Sequence, residues 1–252
     1  MTVEGATTNR KSIGKHFEGI RKFFQCLAMS VAMFSATSAL SQLHVTFAPN
    51  AQYSLIAPGG SARFTRAVFG LHMHRSELSG NWPDVAFGSW RMVSAYAEWM
   101  YVEPSLGNWQ FAKLDGYVAR ATSVGLSITL PLAVTPRWAS ARPDEPGIYG
   151  PGTAAEPADL ERWRTYVRTV AARYAGRIHS YEVHNEANTT PFWTGGIPKL
   201  VELTRIAREE IRMADPKALV IAPSGVGLDK RISWVRDFLS AGGAQYVDIA
   251  SY

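Results

Sequence analysis

Short apolar runs alternate with amphipathic stretches along the chain from about residue 67 onward. The runs are rich in Val, Ile and Leu and are bounded by Gly or Pro, which is typical of buried strands. Apolar residues at helical spacing lie between them. The pattern predicts six strands, at residues 67–74, 90–97, 125–134, 177–186, 218–225 and 246–252.

Two of the intervening stretches carry clear helix signals. In the first, Pro157 occupies the place of a first helical residue, and Gly176 follows the end of an apolar stripe. In the second, Pro198 opens a similar stripe that ends at the Asp215-Pro216 turn. Shorter helices are predicted at 111–124 and 232–239. Strands separated by helices predict an α/β fold with a parallel sheet and right-handed crossovers.

An open doubly wound sheet and a closed (β/α)8 TIM barrel both fit this alternation. No glycine-rich phosphate loop follows the first predicted strand, which disfavours a nucleotide-binding open sheet. Several predicted strands end in polar and aromatic residues, as in a barrel whose working face gathers the C-terminal ends of its strands. The sequence therefore predicts a C-terminally incomplete TIM barrel with about six of its eight strand–helix units.

An apolar run at residues 23–40 follows Arg21 and Lys22 and precedes small residues. This is the pattern of a secretory signal, and a membrane anchor is the alternative because the run approaches the length of a membrane span. We predict a signal peptide at 1–41, an N-terminal lead-in at 42–66 and a partial barrel at 67–252. The expected location is secreted or periplasmic.

Charge and cysteine content narrow the possible partners. The chain has a formal charge of +5, and residues 1–41 carry most of it, so that +2 is left without them. Nucleic-acid binding needs a dense basic face, which so small a charge disfavours. The single cysteine, Cys26, lies in the predicted signal. We expect no cofactor, no metal, no nucleic-acid partner and, after signal cleavage, no membrane partner.

Candidate chemistry lies in the stretch IHSYEVHNEANTTPFW, residues 178–193. Strand alternation puts Glu182, His184 and Glu186 on one face, toward the lumen of a barrel. Asn185 breaks the alternation, so the strand must end or bulge there. A carboxylic acid partly withdrawn from water can protonate a glycosidic oxygen, and an adjacent amide can bind a sugar hydroxyl. Alternatively, Glu186 caps a loop and the nearby aromatic residues belong to the core.

The chain resembles clan A glycoside hydrolases, and within them family 39, over about residues 67–252. The matching elements are W-x-x-V-E-P, G-x-W-x-F, L-D and T-P-x-W-A-S within 99–140, YEVHNEAN and FW within 181–193, ADPKALVIAPSG at 214–225 and YVDIASY at 246–252. The resemblance implies a glycosidase that cleaves O-glycosidic bonds of a poly- or oligosaccharide by a retaining double displacement. Carbohydrate is the implied partner.

The resemblance implies that Glu186 is the general acid/base and that Asn185 contacts the hydroxyl beside the scissile carbon. It also implies a nucleophile at the end of a seventh strand, which this chain does not contain. Among its carboxylates, Glu98 is the least unsuitable substitute. His74, at the end of the first predicted strand, is implied to bind sugar. A metal site on its H-x-H pair is disfavoured, because no third ligand follows at a recognisable spacing.

Aromatic residues complete the predicted site. Trp138 and Trp193 offer flat faces on which pyranose rings can stack, as does Phe192. Two residues depart from the family pattern: His184 stands where Trp is usual and Ala187 where Pro is usual. The alternative function is a non-catalytic or vestigial glycan-binding protein. A weaker one is a barrel enzyme that uses Glu186 as a base beside a carbonyl.

Overall fold

The computed structural model describes residues 65–73 and 82–251, with only the backbone for residues 228–231. The predicted signal peptide and most of the predicted lead-in lie outside these residues, as does His74. Within the described ranges, no helix is both long and apolar enough to cross a membrane.

Strands and helices alternate along the described chain. The strands are β1 (Gly70–His72), β2 (Ser89–Arg91), β3 (Ser127–Leu132), β4 (Ser180–Val183) and β5 (Leu219–Ile221). The helices are α1 (Trp99–Val102), α2 (Ala112–Ser123), α3 (Leu160–Arg173), α4 (Gly196–Ala214) and α5 (Leu228–Ser240), with short 3-10 turns at Arg66–Val68, Arg137–Ala139 and Gly243–Tyr246. This is the α/β alternation that the apolar pattern predicts.

The five strands pair in the order β1-β2-β3-β4-β5, and every pair is parallel. A doubly wound sheet reverses its strand order at a switch point. Here each strand pairs with the next one along the chain, which is the arrangement in the wall of a TIM barrel. The carboxyl ends of the strands therefore lie along one edge of the sheet.

Every described strand is shorter than predicted, and the second and sixth also depart from the prediction in backbone conformation. The second was expected over 90–97 but ends at Arg91, because Ser94 and Tyr96 adopt positive φ angles of 52° and 57° that no strand accommodates. The sixth was expected over 246–252. In its place a 3-10 turn ends at Tyr246, and Ile249 forms a single parallel bridge with Ile221.

The predicted helix starts at Pro157 and Pro198 are both displaced. Helix α3 begins three residues later, where the side chain of Asp159 accepts a hydrogen bond from the backbone N–H of Glu161 at 2.8 Å and caps the first turn. Helix α4 begins before its proline, at Gly196. Local proline signals thus identified the helices correctly but not their first residues.

The core lies between the sheet and these helices. The rings of Trp99 and Tyr166 stack at 4.8 Å between centroids, and both side chains are fully buried. Trp163 on α3 donates a hydrogen bond to the carbonyl of Leu203 on α4, at 3.0 Å. These contacts pack the helices together on one face of the sheet, away from the carboxyl ends of the strands.

The interface of α3 and α4 holds a buried carboxylate with two basic partners. The Glu210 side chain is fully buried, and Arg164 and Arg168 each approach it to 2.7 Å. Burial alone would raise the pKa of Glu210, but the hydrogen bonds from the two arginines outweigh it and lower the pKa. The negative charge of Glu210 is thus balanced by the two arginines, and these ion pairs join α3 to α4.

Candidate active site

Strand β4 stops just before the Asn-Glu pair. It ends at Val183, and the backbone then turns sharply, with φ of 79° at His184 and 48° at Glu186. The sequence prediction that the strand must end or bulge at this point is confirmed. Residues other than Gly, Asn and Asp rarely adopt such backbone angles, and each one that does costs about 1–3 kcal/mol of folding free energy. The surrounding contacts must therefore hold this turn in place.

Ser224, three residues after β5, supplies several of those contacts. Its hydroxyl accepts a hydrogen bond from the N–H of Glu186 at 3.1 Å, and its backbone N–H donates to the carbonyl of His184 at 3.2 Å. Its carbonyl also accepts from the N–H of Ala187 at 3.0 Å. One residue of the neighbouring strand end thus fastens the backbone on both sides of Asn185.

The side chain of Asn185 is fixed by Arg91, the last residue of β2. Arg91 Nη2 donates to Asn185 Oδ1 at 2.8 Å and to Ser224 Oγ at 3.3 Å. The same guanidinium makes a two-point contact with Glu182, at 2.5 and 2.7 Å. Because its oxygen is already engaged, Asn185 keeps its amide N–H groups for another acceptor.

Glu182 lies one layer below, as strand alternation predicts. Its side chain is 1% exposed and is paired with Arg91, of which 29% is exposed. Charge-assisted, two-point pairs of this kind are strong and strongly oriented. The ion pair therefore holds Arg91 at the centre of the site. Its guanidinium connects β2 to the residues at the ends of β4 and β5.

Glu186 is half-buried, and its backbone is anchored on both sides. Its carbonyl accepts hydrogen bonds from the N–H and the hydroxyl of Thr189, each at 3.1 Å. These bonds involve the main chain of Glu186 and leave its side chain at the carboxyl end of β4, partly open to solvent. The carboxyl group is thus presented on a backbone that cannot relax easily.

A second carboxyl group, that of Glu98, lies beside this turn. It is 3% exposed, and its Oε1 accepts a hydrogen bond from the backbone N–H of Ser94 at 2.5 Å. Its Oε2 is buried and has no hydrogen-bond partner among the described residues. Burial raises the pKa of Glu98, and the backbone hydrogen bonds offset this only in part. Glu98 therefore favours its neutral form more than an exposed glutamate does.

His184 is also buried and neutral. Burial lowers its pKa to about 4, and only a hydrogen bond with the Asn185 carbonyl opposes this. The contact joins His184 Nδ1 to the Asn185 carbonyl oxygen at 3.2 Å. A carbonyl oxygen can only accept, so Nδ1 carries the proton and Nε2 has the free lone pair. Nε2 is buried without a partner in the described part of the chain.

Glu98, His184 and Asn185 line one small cavity between the ends of β2, β3 and β4. It encloses about 10 Å³, close to the lower limit for one water molecule. Its remaining wall is apolar or aromatic and consists of Val93, Pro131, Ala133, Val134, Tyr149 and Phe192. Glu98, His184 and Asn185 are thus polar residues around a cavity whose surface is almost entirely apolar.

Tyr149 and Phe192 form the outer part of that wall. Both are half-buried, and their rings meet edge to face at 6.1 Å between centroids. The Tyr149 hydroxyl is 2.9 Å from the Ser94 hydroxyl, which ties the loop at residues 141–158 to the end of β2. The same loop is held at Ile148, whose N–H donates to the Pro191 carbonyl at 3.0 Å. The two rings are therefore fixed from both sides.

The predicted tryptophans lie further from this cavity. Trp193 is 5% exposed, contacts His184 edge to face at 4.8 Å and donates from Nε1 to the Gly196 carbonyl at 3.1 Å. Trp138 is half-buried, and its Nε1 donates to the Glu103 carbonyl at 2.9 Å. The burial of Trp193 favours the alternative that this residue belongs to the core. Sugar stacking on either ring stays a prediction.

Sequence reasoning missed Arg91, Ser224 and Tyr149. An arginine inside an apolar predicted strand was the available signal for Arg91, because a lumen charge needs a partner such as Glu182. Ser224 and Tyr149 occur in ordinary turn sequences, APSG and GIYGPG, that carry no specific signal. Within the described residues, no group of three His, Cys, Asp or Glu side chains could hold a metal ion.

Solved glycosidases share this fold. A family 10 glycoside hydrolase (GH10) from Paenibacillus barcinonensis aligns with a TM-score of 0.52 and 17% identity, over 74% of this chain and 60% of its own. Xylanase 10B from Thermotoga petrophila RKU-1, solved in complex with xylobiose, gives 0.52 and 17%, over 72% and 58%. A family 39 glycoside hydrolase from Bacteroides cellulosilyticus WH2 gives 0.47 and 18%, over 66% and 32%.

No protein-family model matches the sequence, and no curated protein matches it. The structural likenesses are distant in sequence and therefore show the fold alone. The chain spans about 60% of the length of the GH10 structure from P. barcinonensis. Family 39, to which the sequence resemblance pointed, is not singled out over family 10. The chain has a parallel α/β fold similar to part of the TIM barrel of clan A glycoside hydrolases.

Proposed function

We propose that the protein is a retaining glycoside hydrolase in which Glu186 is the general acid/base and Asn185 binds the substrate. The observation that carries the proposal is the anchoring of this pair. A strained turn at the end of β4 presents the Glu186 carboxyl, while Arg91 fixes the neighbouring amide. Oriented groups at the carboxyl ends of barrel strands are the usual source of catalysis in this fold.

In this mechanism Glu186 first protonates the departing glycosidic oxygen. A second carboxylate attacks the anomeric carbon and forms a glycosyl–enzyme intermediate, and Glu186 then removes a proton from the water that hydrolyses it. Asn185 donates an amide N–H to a hydroxyl of the sugar, because its carbonyl oxygen is already bonded to Arg91. The positioning of Asn185 by Arg91 thus sets the position of the sugar relative to Glu186.

The carboxylates of the site and its surroundings are poorly suited to the role of nucleophile. Burial raises the pKa of Glu98, which disfavours the ionised form that a nucleophile needs. Glu182 is buried in its ion pair with Arg91. Asp248 lies on the outer side and pairs with Arg208 and Arg212. The proposal therefore assigns the nucleophile to none of these three carboxylates.

The substrate is proposed to be a β-linked glycan. The support is indirect: the similar T. petrophila enzyme is described as a xylanase and was solved with xylobiose. The same proposal includes export of the protein through the predicted signal at residues 1–41, because polysaccharide substrates occur outside the cell. The alternative is a non-catalytic glycan-binding protein.

The test is Glu186→Gln in the natural protein that contains this chain, with aryl β-glycosides as substrates. For a poor leaving group that needs acid assistance, we expect turnover to fall about 10²–10⁴-fold. For a dinitrophenyl leaving group the first step needs no acid, and added azide should restore turnover by replacing water. Glu161→Gln, a change at a side chain that is 75% exposed, is the matched control.

Equal turnover of the poor leaving group by wild type and Glu186→Gln would overturn the assignment of the acid/base. Glycan binding by calorimetry without any hydrolysis, in wild type as well as in the variant, would support the non-catalytic alternative instead.

A further inference from the structure

Asn188 is the last residue of the YEVHNEAN stretch, and the proposed mechanism gives it no role. Its side chain forms a two-point pair with the backbone of the loop after β5. Asn188 Oδ1 accepts from the Val226 N–H at 2.9 Å, and Asn188 Nδ2 donates to the Val226 carbonyl at 2.8 Å. Residues opposite each other in antiparallel strands exchange both of their backbone hydrogen bonds in this way. The side-chain amide of Asn188 therefore takes the place of a backbone peptide group.

Asn188 belongs to the same turn as Glu186. The carbonyl of Glu186 accepts from the N–H of Thr189 at 3.1 Å, which closes a turn over residues 186–189. The turn begins at a residue with φ of 48°, and a strained backbone of this kind persists only where its surroundings hold it. The side-chain pair of Asn188 fastens the second half of this turn to the loop after β5.

Two residues of the loop after β5 hold the turn from opposite ends. Ser224 bonds its backbone on the side of β4, and Val226 makes the pair with Asn188 on the other side. Within the described ranges, every other hydrogen bond between residues 184–189 and residues 222–227 goes to Ser224. The pair is therefore the second of two attachments that join the turn to the neighbouring strand end.

The engagement of its side chain makes Asn188 unsuited to binding the substrate. Its oxygen and one of its two N–H groups are both used by Val226, whereas Asn185 has only its oxygen engaged by Arg91. Asn188 is also only half-buried, and Val226 is 42% exposed, so the pair is not part of the core. Its contribution is to the position of the turn.

We infer that Asn188 is a positioning residue for Glu186, since its pair with Val226 fixes the turn that presents the Glu186 carboxyl. This rests on the proposed function, in which that carboxyl donates the proton. An acid must lie within hydrogen-bond distance of the departing oxygen, so a small rotation of the turn lowers the rate of acid-assisted cleavage. Asn188 itself touches none of the reacting atoms.

The test is Asn188→Ala in the natural protein that contains this chain. The readout is kcat/KM for two aryl β-glycosides, because this ratio reports on the first step of a retaining reaction. For a poor leaving group, which needs the acid, we expect a fall of about 10-fold, whereas a dinitrophenyl leaving group should change by less than about 2-fold. Asn188→Asp keeps the acceptor for the Val226 N–H and should lose less activity than Asn188→Ala.

A double substitution separates positioning from a general effect on the fold. In a Glu186→Gln background, Asn188→Ala should lower kcat/KM for the poor leaving group by less than about 2-fold more, because the acid that it positions is absent. Asn108→Ala is the matched control. The Asn108 side chain also bonds within an exposed loop, where it accepts from Gln110 at 2.7 Å, and its removal should leave both substrates unaffected.

Amide hydrogen exchange tests the attachment without turnover. In Asn188→Ala the N–H of Val226 loses its acceptor and should exchange about 10-fold faster than in wild type. The N–H of Ala187 remains bonded to the Ser224 carbonyl and should change less. NMR of the full chain measures both rates.

An equal fall for the two leaving groups, a further 10-fold loss in the Glu186→Gln background, or an unchanged exchange rate of the Val226 N–H would each overturn the inference. If Glu186→Gln lowers turnover of the poor leaving group and Asn188→Ala does not, the acid/base stands and Asn188 has no positioning role. If Glu186→Gln has no effect, the acid/base fails and the positioning role fails with it, while the Val226 exchange rate still reports the attachment.

Discussion

Buried glutamates occur both at the carboxyl ends of β2 to β4 and between α3 and α4, and the two regions treat them differently. Between the helices, Glu210 has an arginine on each side and a lowered pKa. At the strand ends, Glu98 has one oxygen without a partner among the described residues, and burial raises its pKa. The helical layer satisfies its charge, whereas the strand ends keep a buried carboxyl that is only partly bonded.

The backbone shows the same contrast. All the described non-glycine residues with positive φ follow β2, β3 or β4, namely Ser94, Tyr96, Val134, His184 and Glu186. No such residue occurs in α3 or α4. Strain of about 1–3 kcal/mol for each residue persists only where the surroundings enforce it. Stability is thus built into the helical layer, and part of it is given up where the candidate site lies.

The two regions should differ most in the stability that is lost when one arginine is removed from each. Arg91→Met leaves Glu182 buried without its partner, and we expect a loss of about 3–5 kcal/mol in the free energy of unfolding. Arg168→Met should cost at most about 1 kcal/mol, because Arg168 is 57% exposed and Glu210 keeps Arg164. Urea denaturation at pH 7 measures both. Equal losses would contradict the contrast.

A smaller effect should appear on acidification. The pKa of His184 is about 4 when folded, so between pH 6.5 and 4 the unfolded chain binds a proton that the folded protein does not, and stability falls as the pH falls. The full contribution is about 3 kcal/mol. The raised pKa of Glu98 acts in the opposite sense, because its folded form keeps a proton that the unfolded form loses above pH 4.5.

Glu98→Gln removes the opposing contribution. Between pH 6.5 and 4.5 the variant should therefore lose stability more steeply than wild type, as measured by urea unfolding at several pH values. Glu103→Gln is the control for the loss of a buried carboxyl, because Glu103 is also 3% exposed but is bonded by Trp99 and Gly107. Parallel pH profiles for Glu98→Gln and wild type would show that Glu98 does not hold a proton in the folded protein.

The smallest expected effect is an increase in stability. Asn tolerates the left-handed backbone of residue 186 better than Glu does, so Glu186→Asn should raise the free energy of unfolding by about 0.5–1 kcal/mol while abolishing hydrolysis. Thermal unfolding and an activity assay measure the two effects. A loss of stability would mean that the Glu186 side chain contributes to folding and not only to chemistry.

The sequence predicted the alternation of elements and the end of β4 because both depend on local patterns. Period-two and helical apolar spacing identified five strands and the main helices, and the break at Asn185 predicted the turn. It overextended the second strand, because Ser94 and Tyr96 adopt positive φ angles that Ser and Tyr residues seldom take up, so their identity gives no local signal of the break.

The site was only partly predictable for the same reason. Glu186 and Asn185 are adjacent in sequence and could be found together, whereas Arg91 reaches them from another strand across 94 positions. The cavity of Glu98 and His184 depends on tautomer, burial and the position of a distant loop. None of these is encoded in a local pattern, although the sequence does predict Glu98 as a carboxylate near the site.

The contacts of Asp248 join the segment after α5 to two other elements. Its carboxylate accepts a hydrogen bond from the Val220 N–H at 2.8 Å and is also bonded by Arg208 and Arg212 of α4. One carboxylate thus fixes the register of this segment against both the sheet and the helical layer, so that a change on the helix surface at Arg208 or Arg212 is transmitted to the backbone beside β5.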